Sequence, residues 1–248
     1  MGEKVDVLGV PVHPGTLSQA RERVFSLLSE NQRGNAIFSI NPEIIMAAKK
    51  DPSFAEILKK GALNLPDGIG VVWASRFLGK KIPERVAGFD LVRAILPECA
   101  RRGYKVFLLG GKPGVAREAG QRIKDEYPEL KVAGTSHGYF SGEETEKIIE
   151  ELKQATPDVL LVGLGFPRQE RFIAEYGETL EIPVSLAVGG TLDGLAGRSR
   201  RAPVFFQRIG LEWLYRIIKM GRWDRFLSLP RFGLLVLSVK LKGGSRSE

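Results

Sequence analysis

The feature that most constrains this chain is a set of short runs, apolar at successive positions, that end in glycine and alternate with helix-like segments. "KVFLLGG", "DVLLVGLG" and "VSLAVGG" are the clearest of these runs. A strand that is apolar on both faces has to be covered on both, and a parallel sheet flanked by helices does that. The intervening segments fit. "TLSQARERVFSLLSEN" has Thr16 and Gln19 in capping-box spacing, and "SGEETEKIIEELKQ" has Ser141 and Glu144 likewise. "AIFSI" stops at Asn41-Pro42, a cap followed by the residue best suited to a first helical turn, and Asp51-Pro52 repeats the device. The predicted fold is α/β, a Rossmann-like, mostly parallel sheet with helices on both faces.

In such sheets ligands sit at the C-terminal ends of the strands. The residues to examine are therefore Ser39 and Asn41, Asp67, Gly110 to Gly114, Gly165 to Gln169, and Gly189 to Asp193. Asp67 lies in "LNLPDGIGVVW", where strand turns into helix. A helix cap and a catalytic acid or base are both open readings for it.

Composition narrows the classes. With 43% hydrophobic and 27% charged residues the chain is an ordinary globular one. The single Cys99 excludes a disulfide framework and fits a reducing compartment. One Cys with two distant histidines, His13 and His137, provides no Cys/His zinc cluster. The start "MGEKVDVLGV" has no secretory pattern, "VDVLGV" within it reads as a strand, and "FGLLVLSV" is far shorter than the ~20 residues of a membrane span.

Charge divides the chain in two. Residues 1–197 hold 25 Lys and Arg against 26 Asp and Glu, a net of −1. Residues 198–248 hold 12 against 3, a net of +9. The first part reads as the α/β body. The second reads as a basic appendage, with Phe206, Ile209, Trp213, Ile217 and Met220 at helical spacing. A solvated surface is one reading, though it would normally carry compensating acids; arginine mixed with aromatics can also serve RNA or an anionic membrane surface. At ~1 kcal/mol per cation near an anionic leaflet, the net charge is ample for peripheral attachment. The aliphatic run "FGLLVLSV" favours the membrane, because RNA has no need of it.

Three glycine-bearing turns carry the remaining signal. "LLGGKPGVA" could admit a phosphate to the backbone at Gly110 and Gly111, or could be only a tight strand-to-helix turn. It is neither the dinucleotide fingerprint nor a P-loop, which weakens an oxidoreductase reading. In "GLGFPRQE", Gln169 suits a sugar or base and Arg168 a phosphate, while a plain turn fits as well. In "GGTLDGLAGRSRRAP", the density of glycine around Thr191 and Asp193 favours function over a solvated loop.

Taken together, "SINPE", "LPDGIGVV", "ERVAGFDL", "VFLLGGKPGVA", "GYFS", "VGLGFPRQE", "VGGTLDGLAGRSRRAP" and "GLEWLYRI", in that order, resemble the WecG/TagA/CpsF glycosyltransferases of bacterial cell-surface polymer synthesis. The resemblance implies inverting, metal-independent transfer from a UDP-sugar to a sugar on a polyprenyl diphosphate lipid, with no cofactor. For the teichoic-acid branch it implies N-acetylmannosamine moving onto undecaprenyl-diphosphate-linked N-acetylglucosamine. Other branches use other donors, N-acetylmannosaminuronic acid among them. The implied location is cytoplasmic, peripheral on the inner face of the cell membrane, without nucleic acid; a homo-oligomer stays open.

By the same resemblance Asp67 is the base and Arg85 lies near the reacting sugar or diphosphate. Ser39 (where relatives commonly have Thr), Asn41 and Gln169 line the pocket. Gly110, Gly111, Thr191 and Asp193, from the glycine-bearing turns, are the further substrate-binding candidates. Arg216, Arg222 and Arg225 clamp the diphosphate, although Gly221-Arg222 stands where relatives often have Pro-Arg. No D-x-D occurs in the sequence, so arginine, planar and always charged, is the natural counter-charge for a departing diphosphate.

Overall fold

The computed structural model describes residues 2–30, 32–199 and 228–244. It opens with an antiparallel hairpin, β1 (Val5–Val7) and β2 (Val10–Val12), where the sequence reads as one strand. Leu8 and Gly9 both take positive φ, the two-residue turn whose twist suits a hairpin. Helix α1 (Leu17–Ser29) follows with the expected Thr16–Gln19 capping box in place. Next come β3 (Asn35–Ile40), α2 (Pro42–Lys50), α3 (Pro52–Lys59), β4 (Leu63–Pro66) and α4 (Ile69–Phe77). Asn41 and Asp51 cap α2 and α3 as their spacing predicts.

The chain continues through α5 (Gly88–Arg102), β5 (Lys105–Gly110), α6 (Val115–Glu126), β6 (Lys131–Ser136) and α7 (Glu143–Ala155). It then forms β7 (Val159–Gly163), α8 (Arg168–Tyr176), β8 (Val184–Ala187) and a short α9 (Thr191–Leu195). The Ser141–Glu144 capping box does not form. Helix α7 begins at Glu143 with no side-chain cap, and three acids in its first turn meet the positive end of the helix dipole instead.

The main sheet has the order β4-β3-β8-β7-β5-β6, and every pairing in it is parallel. Both faces of β4, β3, β8, β7 and β5 are largely buried, as the apolar runs demand, while the edge strand β6 is partly exposed. Ile37, Leu108 and Leu161 enter one core with α1, α5 and α6, while Phe38, Phe107 and Leu160 enter the other with α2, α3 and α8. Successive strand residues thus go to opposite cores, which requires each to be apolar.

The last described element is α10 (Ser228–Gly244), in the segment expected to be an appendage. It packs on α2 and α4 of the body, burying Phe232 and Val236. The helical stripe from Phe206 to Met220, and Arg216, Arg222 and Arg225, lie outside the described residues.

Candidate active site

Two groups of predicted residues line the C-terminal edge of the sheet. The first gathers where β3 and β4 end. Ser39 pairs in register with Leu65, and Ile40 with Pro66. The ladder then runs one step further, because the Asp67 N–H donates to the Ile40 carbonyl at 2.9 Å. Asp67 and Asn41 therefore leave adjacent strands side by side. The segment before α5 folds back over them, with the Val86 N–H on the Pro66 carbonyl at 3.0 Å.

That fold-back decides what Asp67 does locally. Helix α4 is preceded by Gly68 and has no side-chain cap, so Asp67 does not cap the helix that follows it. Its Oδ2 instead accepts the N–H of Gly88, the first residue of α5, at 3.0 Å. The carboxylate is half-buried and anchored on one oxygen. Ser39 lies against the same spot: a Cβ on Gly88 would stand 2.5 Å from Ser39 Oγ and 3.6 Å from Asp67 Oδ2. Gly88 is a member of this site that sequence reading missed, and its place beside Phe89-Asp90 in "AGFD" was the available signal. Arg85, three residues earlier, sits 3.9 Å from Asp90 Oδ2 through Nη2. Asn41 uses its side-chain oxygen to cap α2, accepting from the Ile44 N–H at 3.0 Å, which leaves its amide NH₂ toward other partners.

The second group spans the ends of β8, β7 and β5. Gln169, in the first turn of α8, is buried, and its Oε1 accepts the Gly189 N–H at 2.9 Å. Its Nε2 donates to Glu170 at 2.8 Å. Glu170 is completely buried, and burial pushes its carboxyl up to about 7. Sequence reading passed over it because an acid in a first helical turn looks like a dipole partner. Thr191 is buried at the start of α9, and the Asp193 carbonyl accepts the Arg198 and Ser199 N–H groups. Gly110 and Gly111 sit against β7, with the Gly111 N–H on the Gly163 carbonyl at 3.1 Å.

Arg168 is turned elsewhere. Its guanidinium donates to the Gly138 and Phe140 carbonyls at 2.6 Å each and lies over the Phe140 ring, so it secures the "GYF" loop and is not free for phosphate. That loop carries Tyr139 well into solvent. Beyond it, a cavity of about 480 Å³ lies between α6 and α7, lined by Gly114, Arg117, Ser136, His137 and Lys147 among others.

The two groups differ in character. The β3–β4 end offers a carboxylate, a hydroxyl and a guanidinium; the β8–β7–β5 end offers backbone, amide and small residues. Strands β4 and β5 stand four spacings apart, roughly 19 Å at ~4.8 Å per strand. Connections leave β5 and β7 in opposite directions, making the switch point at which such sheets take nucleotides. Among the described residues no three His, Cys, Asp or Glu side chains cluster as metal ligands would.

The model for the glycosyl transferase WecG/TagA/CpsF family matches residues 5–246. A Bacillus subtilis (strain 168) protein named N-acetylglucosaminyldiphosphoundecaprenol N-acetyl-beta-D-mannosaminyltransferase is 38% identical over 205 residues, covering 82% of this chain and 79% of that protein. A Staphylococcus aureus (strain NCTC 8325 / PS 47) protein of the same name is 34% identical over 242 residues, 96% of this chain and 94% of that protein.

Proposed function

The chain belongs to the glycosyl transferase WecG/TagA/CpsF family, and from that premise we propose that it moves N-acetylmannosamine from UDP-N-acetylmannosamine to undecaprenyl-diphosphate-linked N-acetylglucosamine, with inversion, in teichoic acid synthesis. The uridine diphosphate lies across the β5/β7 switch point, with the sugar directed along the strand ends toward β3 and β4. The acceptor hydroxyl attacks the anomeric carbon as its proton passes to Asp67. The bond from that carbon to the diphosphate oxygen breaks, and UDP departs with the electron pair. Such a base is worth ~10²–10⁴-fold in rate. Arg85, with Arg216, Arg222 and Arg225, balances the charge that grows on the diphosphate. Ser39 and Asn41 hold the sugar, and Thr191 and Asp193 bind the nucleotide side.

One observation carries the proposal. Asp67 does not cap its own helix, yet the fold pins one of its oxygens through Gly88 and sets a hydroxyl, Ser39, beside it.

A lipid-linked acceptor requires attachment to a membrane surface, and we assign that to residues 198–248 together with α4. No helix among the described residues is long and apolar enough to cross a membrane. Leu234, Leu237 and Leu241 of α10 point outward, and α4 exposes Ile69 and the stacked pair Trp73 and Phe77. Arg231, Lys240 and Lys242 are the only charged residues of α10. Apolar residues bordered by cations suit the interface of an anionic bilayer on the cytoplasmic side.

The test is UDP release from UDP-N-acetylmannosamine with a short-chain lipid-diphosphate N-acetylglucosamine acceptor. Activity confined to another UDP-sugar, such as UDP-N-acetylmannosaminuronic acid, would move the chain to another branch of the family. No release of UDP from any donor would overturn the proposal.

A further inference from the structure

The carboxyl of Glu170 is buried with very little to hold it. One oxygen accepts a side-chain hydrogen bond from Gln169 Nε2, and the other, Oε2, has no partner among the described residues. A buried polar atom left unpaired lowers stability, and an apolar side chain of similar volume would fold at least as well. The contribution of Glu170 has therefore to be found outside stability.

It is found in the neighbouring amide. A glutamine amide can sit either way round, exchanging oxygen for NH₂ in the same space. The Gly189 N–H requires the oxygen on one side, at 2.9 Å, and Glu170 requires the NH₂ on the other, at 2.8 Å. The two demands agree, so the amide has one orientation. The turn it grips leads directly into Thr191 and Asp193, and Gly189 also closes on β7, since a Cβ on Gly163 would stand 2.8 Å from the Gly189 carbonyl.

We propose that Glu170 is a positioning residue, which fixes the Gln169 amide and through it the Gly189 turn that receives the sugar nucleotide. The role toward the nucleotide rests on the function proposed above. The hold on the turn does not.

The experiment uses the full chain with Glu170→Leu and Glu170→Gln. Glu170→Leu keeps the volume and removes the acceptor, whereas Glu170→Gln keeps an oxygen for Gln169. In Glu170→Leu we expect Tm to be unchanged or higher. Exchange of the Gly189 amide hydrogen in ligand-free protein should be faster by about tenfold or more, and UDP binding weaker by a similar factor, with the donor KM moving more than kcat. Glu170→Gln should restore binding to within about threefold of the parent. Wild-type exchange and UDP affinity in Glu170→Leu would overturn the proposal. So would equal losses of Tm and affinity in both variants, the signature of a merely structural side chain. If the parent binds no UDP, the proposed function fails, and the Gly189 exchange rate still decides whether Glu170 holds the turn.

Discussion

Asp67 Oδ2 and the backbone nitrogen of Gly88 lie 3.0 Å apart, joining the end of β4 to the first residue of α5 across 21 residues of chain. The carboxylate thus serves the fold as well as the proposed chemistry, and substitutions separate the two. Asp67→Asn keeps an oxygen for the Gly88 N–H but loses its basicity. Turnover should fall by ~10²–10⁴-fold with Tm unchanged. Asp67→Ala should lose that activity and also about 1 kcal/mol of stability, the usual worth of such a cap. An asparagine variant as active as the parent would reduce Asp67 to a cap of α5.

Gly88 and Ser39 should behave as one unit. The Cβ of Gly88→Ala would stand 2.5 Å from Ser39 Oγ, which a rotation of the serine can relieve. Stability should then fall by no more than about 1 kcal/mol, while activity falls with the displaced hydroxyl. Ser39→Ala combined with Gly88→Ala should be no less active than the worse single variant, and a double-mutant cycle reads that non-additivity.

Gly110 should be sensitive for a purely steric reason. Its φ is +143°, and a Cβ there would stand 2.4 Å from the Gly163 carbonyl oxygen, backbone that cannot swing aside. Gly110→Ala should cost about 3 kcal/mol or more in denaturant unfolding. A small loss would show that β5 and β7 can part at their ends.

His13 sets an acid limit. Its Nδ1 accepts the Asn64 N–H at 2.9 Å, so the folded state needs the neutral ring. Burial, then the positive charges of Lys4 and Arg23, bring its pKa down to about 4 from the ordinary 6.5. A folded pKa below the unfolded one gives stability that is present above pH 6.5 and lost as pH falls toward 4. Glu170, raised to about 7, has the opposite sign: its stability is full below the ordinary carboxylate value and lost as pH rises through 7. Thermal unfolding against pH should therefore show a shallower acid decline in His13→Gln than in the parent, and a steeper one in Glu170→Leu.

Membrane attachment should depend on the exposed face of α4 as well as on the basic segment. Replacing Trp73 and Phe77 together by serine should weaken co-sedimentation with anionic vesicles by about tenfold or more, given the apolar area removed, and salt should weaken the parent. Unchanged partitioning would confine the attachment to residues 198–248.

Much of this was legible in the sequence wherever a local rule governs. Runs of mostly apolar residues meant a sheet covered on both faces, and Asn41-Pro42, Asp51-Pro52 and Thr16–Gln19 marked helix starts that formed. Relationships between distant segments were not legible. The partner of Asp67 is set by how the 85–88 segment folds over β4, the use of Arg168 by the approach of the "GYF" loop, and the burial of Glu170 by packing beneath the strand ends. Spacing along the chain carries none of these. The hairpin at Leu8-Gly9 was hidden for another reason, because "VDVLGV" reads equally well as one strand.

The place of β8 in the sheet has a consequence for how the molecule is made. It is the last strand among the described residues and stands between β3 and β7, so Asn35 finds Val184 only after nearly three quarters of the chain has been synthesised. Until then the β3–β4 pair and the β7–β5–β6 trio are separate pieces, each with an open edge. Contacts this distant in sequence are slow to form, and unpaired edges invite intermolecular pairing. Emergence of β8 from the ribosome is accordingly the step that joins the acid end of the site to the glycine end, and chains truncated before it should aggregate.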